Sequence, residues 1–141
     1  MSFDMSLSET LNIKTQGQGL QEFTHQLEQL VRKANKRIGI CHVFVRHTSC
    51  SLLIQENADP SAQRDLEHWL NRLVPENDPL YTHVYEGADD MPAHIKAALT
   101  ATTLSIPIVD GKLALGTWQG TYLWEHRHGS HNRQLIIHIS N

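Results

Sequence analysis

Four clusters along the chain combine residue types and spacings that chemistry can use. The first is His47-Thr48-Ser49-Cys50-Ser51, followed by Gln55-Glu56-Asn57-Ala58-Asp59-Pro60. An imidazole and hydroxyls at a strand end, with a carboxylate and an amide after the next strand, could hold phosphate or a metal. The same residues also suit a polar bend whose hydroxyls cap backbone groups. His42 has the opposite strand parity to His47, so the two do not face one ligand within a regular strand. The second cluster is His83 with Asp89-Asp90-Met91-Pro92-Ala93-His94. Asp90 and His94 are four apart and meet on one helical face, a pairing for acid–base work or for ligating a cation. One aspartate is expected to serve only as the helix cap, and Lys96 points elsewhere on the helix.

The third cluster is Gly116-Thr117-Trp118-Gln119-Gly120. Its glycines let the backbone approach a ligand closely, leaving amide N–H groups, a hydroxyl and an indole to face it. The plainer alternative is a glycine-flanked bulge with a core tryptophan. No GxGxxG or P-loop is present. The fourth runs Glu125-His126-Arg127-His128-Gly129-Ser130-His131-Asn132-Arg133. Its three histidines suggest a metal, yet a Gly-Ser pair between two strong strands reads as a solvated hairpin with those histidines exposed. Arg127 or Arg133 can still reach an anion. Cys50 lacks strand parity with His47 and there is no GxSxG, which disfavours Cys–His and serine-hydrolase chemistry.

These clusters need a scaffold, and the composition describes one. Ten histidines in 141 residues stand out against 40% hydrophobic and 19% charged residues, a globular balance in one domain spanning 1–141. A net charge of −3 draws the surface neither to nucleic acid nor to anionic lipid. No apolar run approaches the ~20 residues of a membrane span, and MSFDMSLSETL lacks the basic and apolar regions of a signal peptide. Cys41 and Cys50 form no CxxC pair and read as reduced thiols, so the expected location is cytoplasmic.

Phe3, Met5, Leu7, Leu11 and Ile13 alternate with polar residues as in a strand, punctuated by Gly17 and Gly19. Leu20, Phe23, Leu27, Leu30, Val31 and Ala34 recur at helical spacing over about four turns. Strands follow at 38–46 and 51–55. Asp59-Pro60 starts a second helix, with Leu66, Trp69, Leu70 and Leu73 as its apolar stripe, that stops near Pro75. After a polar loop at 75–89, a short helix from Asp89 or Asp90 carries Ile95, Ala98 and Leu99 inward. Strands at 102–109, 112–115, 119–126 and 133–139 complete the chain, with a turn at Asp110-Gly111. Tyr122-Leu123-Trp124 and Leu135-Ile136-Ile137 are apolar on both strand faces, so both should be covered. Three helices are too few for about seven strands, which predicts two packed sheets and a second subunit over the remaining face.

HTSCSL, QENADP, DDMPAH and GTWQG, in this order, resemble the YjbQ-like family, also called secondary thiamine-phosphate synthases. The similarity runs from about residue 7 to 139. It implies an α/β fold of the α+β type, with mixed, mostly antiparallel strands in two packed sheets, about three helices, and assembly as a homotrimer. It also implies a polar cluster in which His47, Asp90, His94 and Glu56 are catalytic. Thr48, Ser49, Asn57, Thr117, Trp118, Gln119, Arg127 and Arg133 would bind substrate. His83 lies where the family often has a histidine, so His47, His83 and His94 are the expected ligands of a divalent ion, zinc or magnesium. Cys50 is expected to be a packing residue.

The resemblance implies joining of hydroxymethylpyrimidine diphosphate to thiazole phosphate with release of pyrophosphate, as a transferase. Catalysis would then stabilise charge on the leaving diphosphate, through histidines, Arg127 and the Gly116–Thr117 amides, while Trp118 stacks on a heteroaromatic ring. Two other classes fit the same residues: a non-catalytic trimeric binding protein for a small phosphorylated metabolite, and a metal-dependent hydrolase working through a metal-bound water. The sequence predicts that His47, His94 and Thr117–Gln119 line one pocket, within a chain or across a subunit boundary.

Overall fold

The computed structural model describes residues 6–141, so Phe3 and Met5 lie outside the described residues. The elements are β1 (Leu7–Gln16), β2 (Gly19–Glu22), α1 (Thr24–Ala34), β3 (Gly39–Val45), β4 (Cys50–Glu56), α2 (Pro60–Leu73), α3 (Asp90–Leu99), β5 (Thr103–Val109), β6 (Lys112–Leu113), β7 (Gln119–Glu125) and β8 (Ser130–Ser140). They form a five-stranded sheet ordered β1-β8-β3-β5-β6 and a three-stranded sheet ordered β2-β7-β4. This is the expected α+β fold with two sheets and three helices. Every pairing between named strands is antiparallel, so the expected mixed character reduces to a wholly antiparallel one.

The main core lies between the inner face of the large sheet, α1 and the small sheet. Val43, Ile106, Leu135, Ile137 and Ile139 from the first meet Leu27 and Val31 from the helix and Leu52 and Leu123 from the second. Cys41 and Cys50 are free, fully buried members of this core, and burial pushes both thiols up to about 12. The opposite face of the small sheet is covered separately: Trp124 packs with Leu70 and Val74 of the α2 segment, and Leu20, Leu53, Leu66 and Ile95 join them. That explains why Tyr122-Leu123-Trp124 is apolar without alternation, since β7 is the central strand of a sheet clad on both sides. Among the described residues the outer face of the large sheet has no such cover, and Ile40 and Phe44 of β3 are exposed there.

Several expectations need correction. The helix predicted from Leu20 begins only at Thr24. Gly19–Glu22 pairs with β7 as β2 instead, because this register sets Leu20 opposite the buried Trp124, in whose cluster it packs half-buried. The strand predicted at 112–115 is only Lys112–Leu113, closed by a two-residue turn in which Asp110 and Gly111 both have positive φ, the conformation that two-residue hairpins favour. Asp59 caps α2 as expected, its Oδ1 accepting the Ser61 N–H at 2.9 Å. Of the α2 stripe, however, Trp69 and Leu73 are exposed and only Leu70 is fully buried. On α3, Ala98 and Leu99 face outward, while Ala93, Lys96 and Ala97 form the inner face. No helix among the described residues is long and apolar enough to cross a membrane.

Candidate functional site

β4 and β7 run antiparallel, with Cys50 opposite Glu125 and Glu56 opposite Gln119. This register sorts the sequence motifs into two groups at opposite ends of the same strand pair. One end carries His47-Thr48-Ser49, the Glu125–Arg133 segment and the start of α3. The other carries Glu56-Asn57 and Thr117-Trp118-Gln119. Six residue steps at ~3.3 Å each put the two ends roughly 20 Å apart. Within one chain the expected common pocket is therefore divided.

At the first end, three side chains converge. His83 Nε2 lies 2.8 Å from Asp90 Oδ2, and His94 Nε2 lies 3.2 Å from the same oxygen. The imidazoles are tilted against each other with centroids 5.3 Å apart. One ligand atom from each of His83, Asp90 and His94 falls within 4.8 Å of the other two. Asp90 is only 2% exposed, whereas the imidazoles are reached by solvent. The i,i+4 spacing of a first-turn aspartate and a histidine supplies two members. The 75–89 loop returns His83 as the third.

The second nitrogen of His94 and the second oxygen of Asp90 are held by the chain. His94 Nδ1 lies 3.0 Å from the Thr48 carbonyl oxygen. A carbonyl only accepts, so Nδ1 carries a proton and the neutral ring presents a lone pair at Nε2. That lone pair faces a carboxylate oxygen, a contact that is repulsive until a proton or a metal cation lies between them. Asp90 Oδ1 is 3.5 Å from Arg127 Nη1.

Arg127 is not a free anion-binding group. Its Nη2 donates to the Glu86 carbonyl at 2.7 Å and to Asp89 Oδ1 at 3.2 Å, and its Nε donates to Asp89 Oδ2 at 3.3 Å. Asp89, the aspartate at the helix start, makes no capping hydrogen bond with its side chain. It receives Arg127 and the His128 backbone N–H instead. Burial raises its carboxyl, but these donors outweigh burial and hold it below the usual carboxylate range. Arg127 thus positions α3 and Asp90.

Two further expectations at this end are overturned. Arg133 is buried in an ion pair with Glu125, to which Thr15 also donates at 2.6 Å, and is spent inside the protein rather than offered to substrate. The pair joins β8 of the large sheet to β7 of the small one. His126, expected on an exposed hairpin, is 1% exposed, its Nε2 2.8 Å from Ser51 Oγ. Burial drives that imidazole down to about 3. His131 is half-buried and His128 exposed. The apolar contact of Trp124 with the His126 ring draws the first residue of the loop inward.

His47 does not join the metal-type cluster, where Asp90 stands in its place. Its Nε2 accepts the Gln134 backbone N–H at 2.9 Å. Burial, then Arg133, lowers its pKa, in keeping with a neutral acceptor ring. Thr48 and Ser49 act through their carbonyls, the first to His94 and the second to Arg133 and the His126 N–H.

At the second end, the Asn57 N–H donates to the Trp118 carbonyl at 3.0 Å, joining the two motifs through the backbone. The amide N–H of Gly116, expected to face a ligand, donates to Gln119 Oε1 at 2.8 Å. Trp118 is 63% exposed, not core. Glu56 lends its carbonyl to the Tyr122 hydroxyl. Gln119, Asn57 and Gly116 line a cavity of about 460 Å³ with Glu22, His25 and Glu28. Glu22 was invisible to motif reading because helical periodicity absorbed it. Its carboxylate accepts from Thr24 and Asn57, and Gly120 leaves the room it occupies.

Two antiparallel sheets under three helices, with a solvent-reached imidazole–carboxylate–imidazole cluster at the start of α3, define a class of small α+β proteins. The chain belongs to the YjbQ-like family: the family model described as UPF0047 protein YjbQ-like matches residues 9–141. A UPF0047 protein of Synechocystis sp. is 53% identical over 132 residues, covering 94% of this chain and 90% of its own. UPF0047 protein YjbQ of Escherichia coli O157:H7 is 42% identical, covering 94% and 96%. A crystal structure of an uncharacterized YjbQ/UPF0047-family protein from Clostridium acetobutylicum matches with a TM-score of 0.83 at 33% identity, covering 94% of this chain and 98% of that one.

Proposed function

We propose that His83, Asp90 and His94 hold a divalent metal ion and that the chain is a transferase of the thiamine-phosphate synthase type. The observation that carries the reading is the His94 geometry: Nδ1–H anchored on the Thr48 carbonyl, and the Nε2 lone pair aimed at Asp90 beside His83. Two imidazoles and a carboxylate form a donor set that suits zinc better than magnesium. Anchoring the far nitrogen of a ligating histidine is the usual second-layer support.

In this reaction the thiazole nitrogen forms a bond to the pyrimidine methylene carbon as the bond from that carbon to diphosphate breaks, releasing pyrophosphate. A bound divalent ion supplies positive charge where the leaving diphosphate gathers negative charge. The chain's own part is to present the imidazoles on a rigid helix start, with Asp90 fixed by Arg127, so that little reorganisation accompanies charge transfer. Trp118 and Gln119, at the far end of β7 from Glu125, lie too distant to serve the same chain's cluster. We therefore place them against a neighbouring subunit's cluster in a homotrimer, where the exposed indole gives a stacking face for the heteroaromatic substrate. That reading agrees with the uncovered outer sheet face.

The test supplies the two phosphorylated precursors to purified protein with zinc, with magnesium and after chelation, and follows thiamine phosphate. Product formation that falls on chelation and is lost in His94→Ala supports the reading; no product from folded wild-type protein overturns it. Mixing His94→Ala with Trp118→Ala subunits should restore a fraction of the turnover if sites are shared. A second reading follows from the same three side chains: an ion held by His83, Asp90 and His94 would keep a position for water, as in hydrolytic metal sites. Release of phosphate from either precursor alone would favour hydrolysis.

A further inference from the structure

Lys96 is the one lysine of α3, and it faces the interior. It is 3% exposed, and its Nζ donates to Asn71 Oδ1 of α2 at 2.5 Å. That amide oxygen is neutral. Among the described residues no carboxylate comes within ion-pair distance of it; Asp89 and Glu76 pair with Arg127 and His128 instead. A buried ammonium normally has a charged partner, because removing it from water is costly otherwise. Lys96 therefore has a net positive charge and two N–H donors without a matching anion.

Beside it lies a cavity of about 200 Å³ between α2, β2 and β7, lined by Lys96, Asn71, Trp124, His126 and Glu67 among others. With Oδ1 given to Lys96, Asn71 keeps its NH₂ group as a further donor. Trp124 forms an apolar wall. His126 is tied to Ser51. Glu67 Oε1 accepts the Leu20 N–H at 3.0 Å, placing a negative charge across the cavity from Lys96. Glu125, the other acid on the wall, is neutralised by Arg133.

We infer that this cavity binds a small monocarboxylate, with the carboxylate on Lys96 and Asn71 and its short apolar group against Trp124. One cation calls for one negative charge, and Glu67 opposes a second. A cavity of about 150 Å³ holds benzene, so this one admits a molecule of up to roughly eight heavy atoms. The site shares no residue with the His83–Asp90–His94 cluster, lying on the opposite side of α3.

Acetate and phosphate are titrated at pH 8 into the full chain, at ionic strength matched with chloride, and followed by NMR of the Asn71 side-chain amide and the Trp124 indole N–H. Acetate should shift both signals saturably with one Kd, and dianionic phosphate should bind at least fivefold more weakly. Lys96→Met should fold, since an apolar chain of similar length replaces a poorly paired buried cation, and should weaken acetate at least tenfold. His94→Ala should keep wild-type acetate affinity, which separates this site from the metal-type cluster. No saturable shift in wild type, phosphate binding as tight as acetate, or unchanged affinity in Lys96→Met would each overturn the inference. If Lys96→Met does not fold, the wild-type titration decides.

Discussion

Arg133→Met tests the claim that Arg133 is a buried fastener between the sheets. The side chains of Arg133 and Glu125 are 5% and 1% exposed, and Thr15 is the other side chain that donates to Glu125. Removing the arginine strands a buried carboxylate, a change that typically costs about 3–5 kcal/mol. For 141 residues the unfolding entropy is about 0.3 kcal/mol/K, so Tm should fall by roughly 10–17 °C. The pH dependence has a definite sign. Burial raises the Glu125 carboxyl, but Arg133 and Thr15 outweigh burial and the native pKa lies below its ordinary value of 4.5. The contribution of the pair is therefore complete above the ordinary carboxyl range and is lost as pH falls through the depressed native value. In Arg133→Met, burial acts unopposed by the guanidinium and protonation relieves the stranded charge, so the Tm deficit should be smaller at pH 4 than at pH 7. Replacing both partners, Arg133→Met with Glu125→Leu, should recover most of the loss. Scanning calorimetry at the two pH values measures this. A single-variant deficit below about 3 °C at pH 7, or one that grows on acidification, would refute the reasoning.

Three other outcomes follow. His126 is held near 3 in the folded protein against about 6.5 unfolded, so its contribution is present above pH 6.5 and declines below it at about 1.4 kcal/mol per pH unit. Urea unfolding should show about 2 kcal/mol lost from this group between pH 7 and pH 5, with a flatter profile in His126→Gln. Gly120→Ala pushes a methyl group into the Glu22 carboxylate and should cost about 1–2 kcal/mol by overpacking, measured as a shift in the urea midpoint at constant m-value. His94→Ala should lower kcat by about 10²–10³-fold, while its thermal unfolding after chelation stays near that of chelated wild type, because this half-exposed ring adds little to the core.

Much of the scaffold was legible because period-2 and period-3.6 patterns reflect which faces are buried. The alternation of β3, β5 and β8 and the Asp59-Pro60 helix start correspond to real elements. Leu20 and Phe23 misled because their i,i+3 spacing extends the helical stripe by one turn, while the pairing of Leu20 with Trp124 makes that turn a strand. At the site, the i,i+4 pair Asp90–His94 needed only local geometry. His83 was named, but its meeting with Asp90 depends on the path of the 75–89 loop. The roles of Arg127, Arg133 and His126 depend on partners 8 to 75 residues away, and no spacing rule carries that information. A charged side chain looks the same in sequence whether it meets a ligand or a buried carboxylate. The separation of GTWQG from HTS is a consequence of β4–β7 register, which turn chemistry did not specify.

Metal stoichiometry tests the central claim most directly. Purified wild-type protein, stripped by chelation and dialysed against micromolar zinc, should retain one ion per chain at the His83–Asp90–His94 cluster. Asp90→Asn and His94→Ala, both folded by circular dichroism, should lose it, and substituted cobalt(II) should give a tetrahedral absorption band in wild type alone. Retention of equal zinc by wild type and His94→Ala, or none by wild type, would contradict the account.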